Sequence, residues 1–311
     1  MVNMAKKDIL SIYDLSAKEI KSLLNKAFEL KSKKKHLTEL TGKTLGLIFE
    51  KPSTRTMVSF SAAMIQLGGF PIFLDSQNLQ RKRGESVHDT ALVLSGYVDG
   101  LMVRAFKHTD VEEFAKFSSV PVINGLTDFE HPCQILADIM TIMELHKIKK
   151  AESLKKLKIV FIGDSNNIAN SMLAVSAVLG LDFTLICPKE YSPKKALLDK
   201  ALEHTADSGA EIRITSDVNA AKNADVVYTD VWTSMGAESE EKKRRKAFAP
   251  YQINADLVKK VSPKCIVLHC LPAVRGEEIT ADIMDKYEYS IFTQASNRLH
   301  AQKAVLLYLL K

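Results

Sequence analysis

What this chain of 311 residues lacks narrows the field first. It has four cysteines, Cys133, Cys187, Cys265 and Cys270, with no CxxC and no paired metal-ligand spacing, so neither a disulfide framework nor a zinc module is expected to organise it. No apolar run approaches the roughly 18 residues of a membrane span, and the opening MVNMAKKDILSIYDLS lacks the apolar core and small-residue cleavage site of a signal peptide. A cytoplasmic protein with reduced thiols and no membrane partner is the expectation. The GxGxxG pattern is missing too. KIVFIGDSNNIANSML (158–173) starts as a strand and turn, but without those glycines a backbone cannot come close to a pyrophosphate, which argues against a dinucleotide cofactor. The net charge of +6 suits anionic substrates, and the basic runs KSKKKH (31–36) and EEKKRRK (240–246) carry no interleaved aromatics. They read as solvated faces rather than a nucleic-acid surface.

What is present is alternation. With 46% hydrophobic residues, the chain is long enough for two ordinary domains, each with its own core. A helix over 16–31 is followed by strand-length apolar runs at 43–49, 70–74, 100–106 and 120–124, separated by amphipathic segments near 54–67, 85–98 and 109–117. A helix over 132–147 and the polar AESLKK close this half. The second half repeats the scheme, with strands at 158–163, 182–187, 211–215, 224–230 and 265–270. Strands alternating with helices imply parallel sheets. The expected fold is therefore α/β, two doubly wound parallel-sheet domains with an active-site cleft between them. Residues 1–147 and 151–296 would form the domains, and a last helix over 297–310 would pack back on the first. In such sheets ligands bind beyond the carboxyl ends of the strands.

The strand ends carry the chemistry. After Phe49 the chain reads EKPSTRTMVSF, and Met57, Phe60, Met64 and Leu67 recur at helical spacing until Gly68-Gly69 stops them. Ser53, Thr54, Arg55 and Thr56 thus fall on a helix's first turn, where free N–H groups and the dipole attract an anion. One capping residue would suffice for the helix alone. Arg104 ends an apolar strand, a place for an ion pair or a cleft-facing charge. His131 and Gln134 flank Pro132 at the start of a helix, where an imidazole could polarise a carbonyl or simply cap. Asn166 and Asn167 offer amides suited to a small polar ligand. Asp230 reads as an exposed carboxylate on a Gly-containing loop that could meet an ammonium group beneath a movable lid. His269-Cys270-Leu271-Pro272 ends the last strand, with Cys270 a nucleophile, a hydrogen-bonding group or core.

STRT, HPCQ, DVWTSMG and HCLP, in this order and at these separations, resemble the ornithine carbamoyltransferase family, and the resemblance extends to RGESVHDTALVLSGYVD (83–99) and NRLHAQKA (297–304). The aspartate branch shares the STRT-type element but has HPLP-like residues in place of HCLP and no SMG loop. The resemblance implies transfer of a carbamoyl group from carbamoyl phosphate to the δ-amine of L-ornithine, giving L-citrulline and phosphate, without metal or organic cofactor. It further implies a carbamoyl-phosphate domain, an ornithine domain, and a homotrimer or multiple of trimers with sites at subunit interfaces. For carbamoyl phosphate the matching residues are Ser53, Thr54, Arg55, Thr56, Arg104, His131, Gln134, Cys270, Leu271 and Arg298. Gln80 matches a position that reaches a neighbouring subunit's site. For ornithine they are Asn167, Asp230, Ser234 and Met235. Arg55, Arg104, His131, Asp230 and Cys270 would carry the catalysis, with Cys270 orienting the amine rather than bonding to substrate. Two positions depart from the family pattern, Val274 for a histidine and Ser296 for a glutamate. A carbamoyltransferase for another amine such as putrescine, and a non-catalytic sensor of a phosphorylated metabolite, are the alternatives. The direction of flux, towards arginine synthesis or breakdown, stays open.

Overall fold

The computed structural model describes residues 6–33, 37–75, 84–233 and 238–311, the side chains of 152, 155, 156 and 238 excepted. The chain divides into two compact units, Met1–Leu136 with Arg298–Lys311, and Ala137–Asn297. Each is built on a parallel sheet.

The first unit runs α1 (Ala17–Ser32), β1 (Thr44–Phe49), α2 (Thr54–Gln66), β2 (Phe70–Asp75), α3 (Val87–Ser95), β3 (Gly100–Arg104), α4 (His108–Phe117), β4 (Val122–Leu126) and α5 (Pro132–Leu145), which continues into the second unit. The strand order is β2-β1-β3-β4. Ser16 starts α1 with a capping box to Glu19, and Ile20, Leu23, Leu24, Ala27 and Leu30 form its buried stripe. β1 and β3 lie inside the sheet and are apolar along their length, so helices must cover both faces. Gly46 in β1 sits in that crowding: a Cβ there would lie 2.9 Å from Leu101 Cδ2 on β3, whose side chain would have to move. The edge strand β2 instead exposes Phe70, Ile72 and Phe73.

The segment before α1 is tied to the turn that leads into α5. Ile9 bridges Ile123 beside β4, and the buried Glu130 accepts hydrogen bonds from Ser11 Oγ and, at 3.1 Å, from Ile12 N–H. A carboxylate with two donors is a stable buried anion, whereas its removal strands both donors.

The second unit contains β5 (Lys158–Ile162), α6 (Asn167–Leu179), β6 (Asp182–Ile186), α7 (Lys195–Ser208), β7 (Ile212–Thr215), β8 (Val226–Thr229), α8 (Glu241–Phe248), α9 (Ala255–Val258), β9 (Ile266–His269), α10 (Ala281–Lys286) and α11 (Glu288–Leu310). The order β7-β6-β5-β8-β9 turns back between β5 and β8. α6 is buried on nearly every side, as its largely apolar sequence with small polar residues allows, and ends on Gly180 in the left-handed region (φ 74°). Trp232, Phe248, Tyr251, Ile279, Ile283 and Ile291 anchor the core beneath the other face.

The last helix differs from expectation. α11 begins at Glu288, nine residues before the expected start at Asn297. Its early inward face is polar: Ser290 Oγ donates to Val267 O at 2.6 Å, Gln294 Nε2 to Asp138 Oδ1 at 2.8 Å, and Asn297 Nδ2 to Thr141 Oγ1 at 2.9 Å. With Ile291 the one large apolar side chain among these buried groups, the segment shows no hydrophobic period. Further on, Leu310 packs against Gly100, and Tyr308 donates to Glu19 at 2.6 Å, both in the first unit.

Replacing Glu130 with Ala leaves the Ser11 and Ile12 donors without their acceptor, and is expected to cost about 2–4 kcal/mol. Urea unfolding followed by circular dichroism checks this; an unchanged midpoint would show that Glu130 does not hold the N-terminal segment.

Candidate active site

Two clusters form, one per unit, each at the carboxyl ends of its strands. In the first, Pro52 and Ser53 break β1, and Ser53 Oγ caps α2 by accepting Thr56 N–H at 3.3 Å. Thr54 starts the helix in an exposed position and Arg55 follows half-buried. The inner stripe of α2 begins at the wholly buried Thr56 and continues through Phe60, Ala63, Met64 and Leu67. Phe60, Met64 and Leu67 keep the expected phase, while Met57 is half-buried and Thr56 takes its place at the head of the stripe.

In that place Thr56 meets two buried guanidinium groups. Its Oγ1 accepts from Arg298 Nη2 at 2.9 Å and from Arg104 Nη1 at 3.4 Å. A hydroxyl has two acceptor positions and one proton. With both acceptor positions engaged, Thr56 can serve a ligand only as a donor. Arg104 is the last residue of β3, and Arg298 lies on α11 within the first unit. His131 and Gln134, at the start of α5, are also buried, and Gln134 N–H donates to His131 O at 3.0 Å.

Positive charge is concentrated here. Burial, then the charges of Arg298, Arg104, Arg55 and Lys51, hold the His131 imidazole well below its ordinary value of 6.5, so it is neutral at physiological pH. Lys51, between β1 and α2, is 6% exposed, with its ammonium 4.8 Å from the centre of the Phe106 ring. Burial first, and Arg104 second, lower its pKa. Sequence reasoning passed over Lys51; its only signal was its place in EKPSTRT. Cys133, beside His131, is no reactive thiol, since burial pushes it up to about 12.

The second cluster lies where the strand order of the other sheet reverses. Asp230, directly after β8, is 9% exposed, which corrects the expectation of an exposed carboxylate. Its Oδ2 accepts from Asn166 Nδ2 at 2.7 Å and its Oδ1 from Cys270 Sγ at 2.9 Å. Asn166 also caps α6, its Oδ1 accepting Ile168 N–H and Ala169 N–H. Asn166 thus touches Asp230 through its amide, and Asn167 is the first residue of α6. The spacing of NN in a turn could not say which of the two faces the carboxylate. Ser234, Met235 and Gln80 lie outside the described residues, as does the expected lid.

Behind Cys270 the turn is braced from within. Leu271 N–H donates to His269 Nδ1 at 2.9 Å, which fixes that nitrogen as unprotonated, and Nε2 then carries the proton towards Glu278 Oε1 at 3.0 Å. Glu278 also accepts Val274 N–H at 2.6 Å. Leu271 has a positive φ of 61°, a conformation that costs a residue with a Cβ about 1 kcal/mol and is held here by that bond. Asp230, His269 and Cys270 bring ligand-type atoms within 4.8 Å of one another. They do not fit a metal as a triad, because both His269 nitrogens are engaged elsewhere. Of the two departures from the family pattern, Val274 is exposed and donates its N–H to Glu278, and Ser296 Oγ donates to Phe292 O within its own helix.

The chain matches two family models, "Aspartate/ornithine carbamoyltransferase, carbamoyl-P binding domain" over residues 7–144 and "Aspartate/ornithine carbamoyltransferase, Asp/Orn binding domain" over residues 155–309. It is 49% identical over 311 residues to the anabolic ornithine carbamoyltransferase of Pyrococcus furiosus, covering 98% of this chain and 97% of that protein. Identity to the ornithine carbamoyltransferase of Methanosarcina acetivorans is 50% over 310 residues, covering 98% of this chain and all (100%) of the other. The solved structure of ornithine carbamoyltransferase from Pyrococcus furiosus aligns with a TM-score of 0.92 at 47% identity, over 100% of this chain and 99% of that one. With both domain models matched and this identity running from end to end, the chain belongs to the aspartate/ornithine carbamoyltransferase family.

Proposed function

We propose that this protein transfers the carbamoyl group of carbamoyl phosphate to the δ-amine of L-ornithine, releasing L-citrulline and phosphate. The observation that carries this reading is the buried meeting of Arg104 and Arg298 on Thr56 Oγ1 at the first turn of α2, which leaves a hydroxyl proton among several cations. Ser53, Thr54, Arg55 and Thr56 cradle the phosphate, aided by the helix N-terminus. His131 and Gln134, with Leu271, Cys270 and Arg298, hold the carbamoyl group, and Gln80 reaches a neighbouring subunit's site. Asn167, Asp230, Ser234 and Met235 bind ornithine, and Asn166 supports Asp230. Residues 1–147 then form the donor domain and residues 151–296 the acceptor domain, and transfer requires the two substrates to meet.

The chemistry is positioning and charge stabilisation. The deprotonated δ-amine attacks the carbamoyl carbon, and the oxygen of the tetrahedral intermediate gains charge as it forms. Thr56 O–H, Arg104 and neutral His131 stabilise that charge without reorganising. Phosphate departs into the same positive field, and the attacking nitrogen sheds its extra proton to a base, for which the departing phosphate or ornithine itself suffices. Holding both reactants in register supplies several kcal/mol of the acceleration. The word "anabolic" in the names of the Pyrococcus furiosus relative and of a solved Campylobacter jejuni structure supports a role in arginine synthesis.

The assembly we propose is a homotrimer or a multiple of one, in the cytoplasm. Phe70, Ile72 and Phe73 on β2, Val58 and Ile65 on α2, and Leu92 and Val93 on α3 are exposed apolar residues of the first unit, surface that a neighbouring subunit would cover. No helix among the described residues is long and apolar enough to cross a membrane.

Citrulline formation from carbamoyl phosphate and ornithine tests the function; faster carbamoylation of putrescine would reassign the acceptor, and binding of carbamoyl phosphate without any product would favour a sensor. Asp230→Asn is expected to raise KM for ornithine by about tenfold or more while sparing carbamoyl phosphate, and an equal loss for both would overturn the division of labour. His131 gives a pH test. Its folded pKa lies below the 6.5 of the unfolded chain, so between those values the unfolded state binds a proton that the folded state does not. Stability should therefore fall as pH drops through that window, by up to about 1.4 kcal/mol per pH unit, and His131→Gln should remove that component. Identical slopes in the two proteins would contradict the neutral, buried imidazole.

A further inference from the structure

The basic run at 240–246 reads as a solvated face, and all of it is exposed except Arg244, which is 6% exposed. That guanidinium lies 4.8 Å from the Tyr191 ring centre and 5.6 Å from that of Phe248. Its donors go to three separate segments. Nε donates to Trp232 O at 2.6 Å, Nη2 to Asp164 Oδ2, and Nη1 to Glu240 Oε2 at 3.4 Å.

These contacts are placed with respect to the ornithine cluster. Asp164 follows β5 and stands two residues before Asn166; Trp232 stands two residues after Asp230, which follows β8. Arg244 thus ties together the two strand-end loops whose side chains, Asn166 and Asp230, bond each other at 2.7 Å. The third loop joins in, since Ser165 N–H donates to Tyr191 O at 3.3 Å and Tyr191 lies against the guanidinium. A buried ion pair adds little net stability over an apolar filling of the same volume, because desolvation cancels most of its attraction. A planar fork with donors in three directions gives fixed geometry instead. Ser234 and Met235 lie in the stretch of chain between two of its acceptors, Trp232 and Glu240.

We infer that Arg244 is a positioning residue for the acceptor substrate: through Asp164 and the Trp232 carbonyl it fixes the aim of Asn166 and Asp230 at the ornithine amine. This rests on the function proposed above. It acts through those residues and touches no reacting atom.

The test is steady-state kinetics on Arg244→Met, which keeps the length and apolar stem but no donors, alongside Arg244→Lys and Asp164→Asn. Arg244→Met should raise KM for ornithine by about tenfold or more and leave KM for carbamoyl phosphate within about twofold. Arg244→Lys keeps charge without the fork and should recover only part of the loss; Asp164→Asn should show the same split at smaller size. Unchanged KM for ornithine, full rescue by Lys, or a parallel rise in both KM values would overturn the inference. If Arg244→Met does not fold, the other two variants decide it by the same criteria. The unaltered protein is run beside them: failure of that protein to make citrulline refutes the proposed function, whereas citrulline formation with no split in the variants refutes the positioning role alone.

Discussion

Two guanidinium groups, Arg104 from the end of β3 and Arg298 from α11, converge on one buried hydroxyl, Thr56 Oγ1. Like charges drawn together away from water repel, and each has lost hydration. The surroundings record the strain of that arrangement: His131 is driven to its neutral form and Lys51 towards its own, each chiefly by burial and then by nearby cations. Such a concentration is tolerable when an anion completes it. The helix N-terminus of α2, with Ser53 as its cap, adds partial positive charge of the same sense. The rest of the first unit serves to hold these groups still. Helix α2 is phased by Phe60 and Leu67 in the core, β3 is locked inside the sheet, and Glu130 fastens the turn before α5 to the N-terminal segment.

The second unit answers with the opposite sign and a different kind of order. Asp230 is held by an amide and a thiol, which orient it in a nearly buried place. Behind it, Gln294 Oε1 accepts His269 N–H at 2.9 Å while its amide nitrogen serves Asp138, which also accepts from Tyr228 O–H at 2.8 Å. Burial and that carboxylate raise the Tyr228 pKa, so its hydroxyl stays protonated and keeps donating. Each member has a defined donor or acceptor role, so the HCLP turn has one arrangement rather than several. A preorganised carboxylate suits an amine that must arrive at a carbonyl carbon in a single orientation.

Much of this was legible in the sequence for a plain reason. In parallel sheets, strands read as apolar runs and functional groups follow them, so STRT, Arg104, HPCQ, Asp230 and HCLP could be placed at strand or helix ends from spacing alone. What escaped reading were polar groups doing the work of core. The first part of α11 was invisible because Ser290, Gln294 and Asn297 fill its inner stripe. Thr56 rather than Met57 leads the buried face of α2, a difference of one residue that a hydrophobic period cannot resolve when a hydroxyl is buried. Lys51 was passed over and Arg244 was taken with its charged neighbours, since sequence carries no mark of a cation that goes inside.

The central claim is that the Thr56 hydroxyl, with both acceptor positions taken by guanidinium groups, is a committed donor to the carbamoyl phosphate anion. Thr56→Val keeps the shape of the side chain and removes the oxygen, so calorimetric titration with carbamoyl phosphate in the absence of ornithine reads that hydroxyl directly. Affinity weaker by about tenfold or more, as expected for loss of a charge-assisted hydrogen bond, is the result predicted. Equal affinity in the two proteins would contradict it.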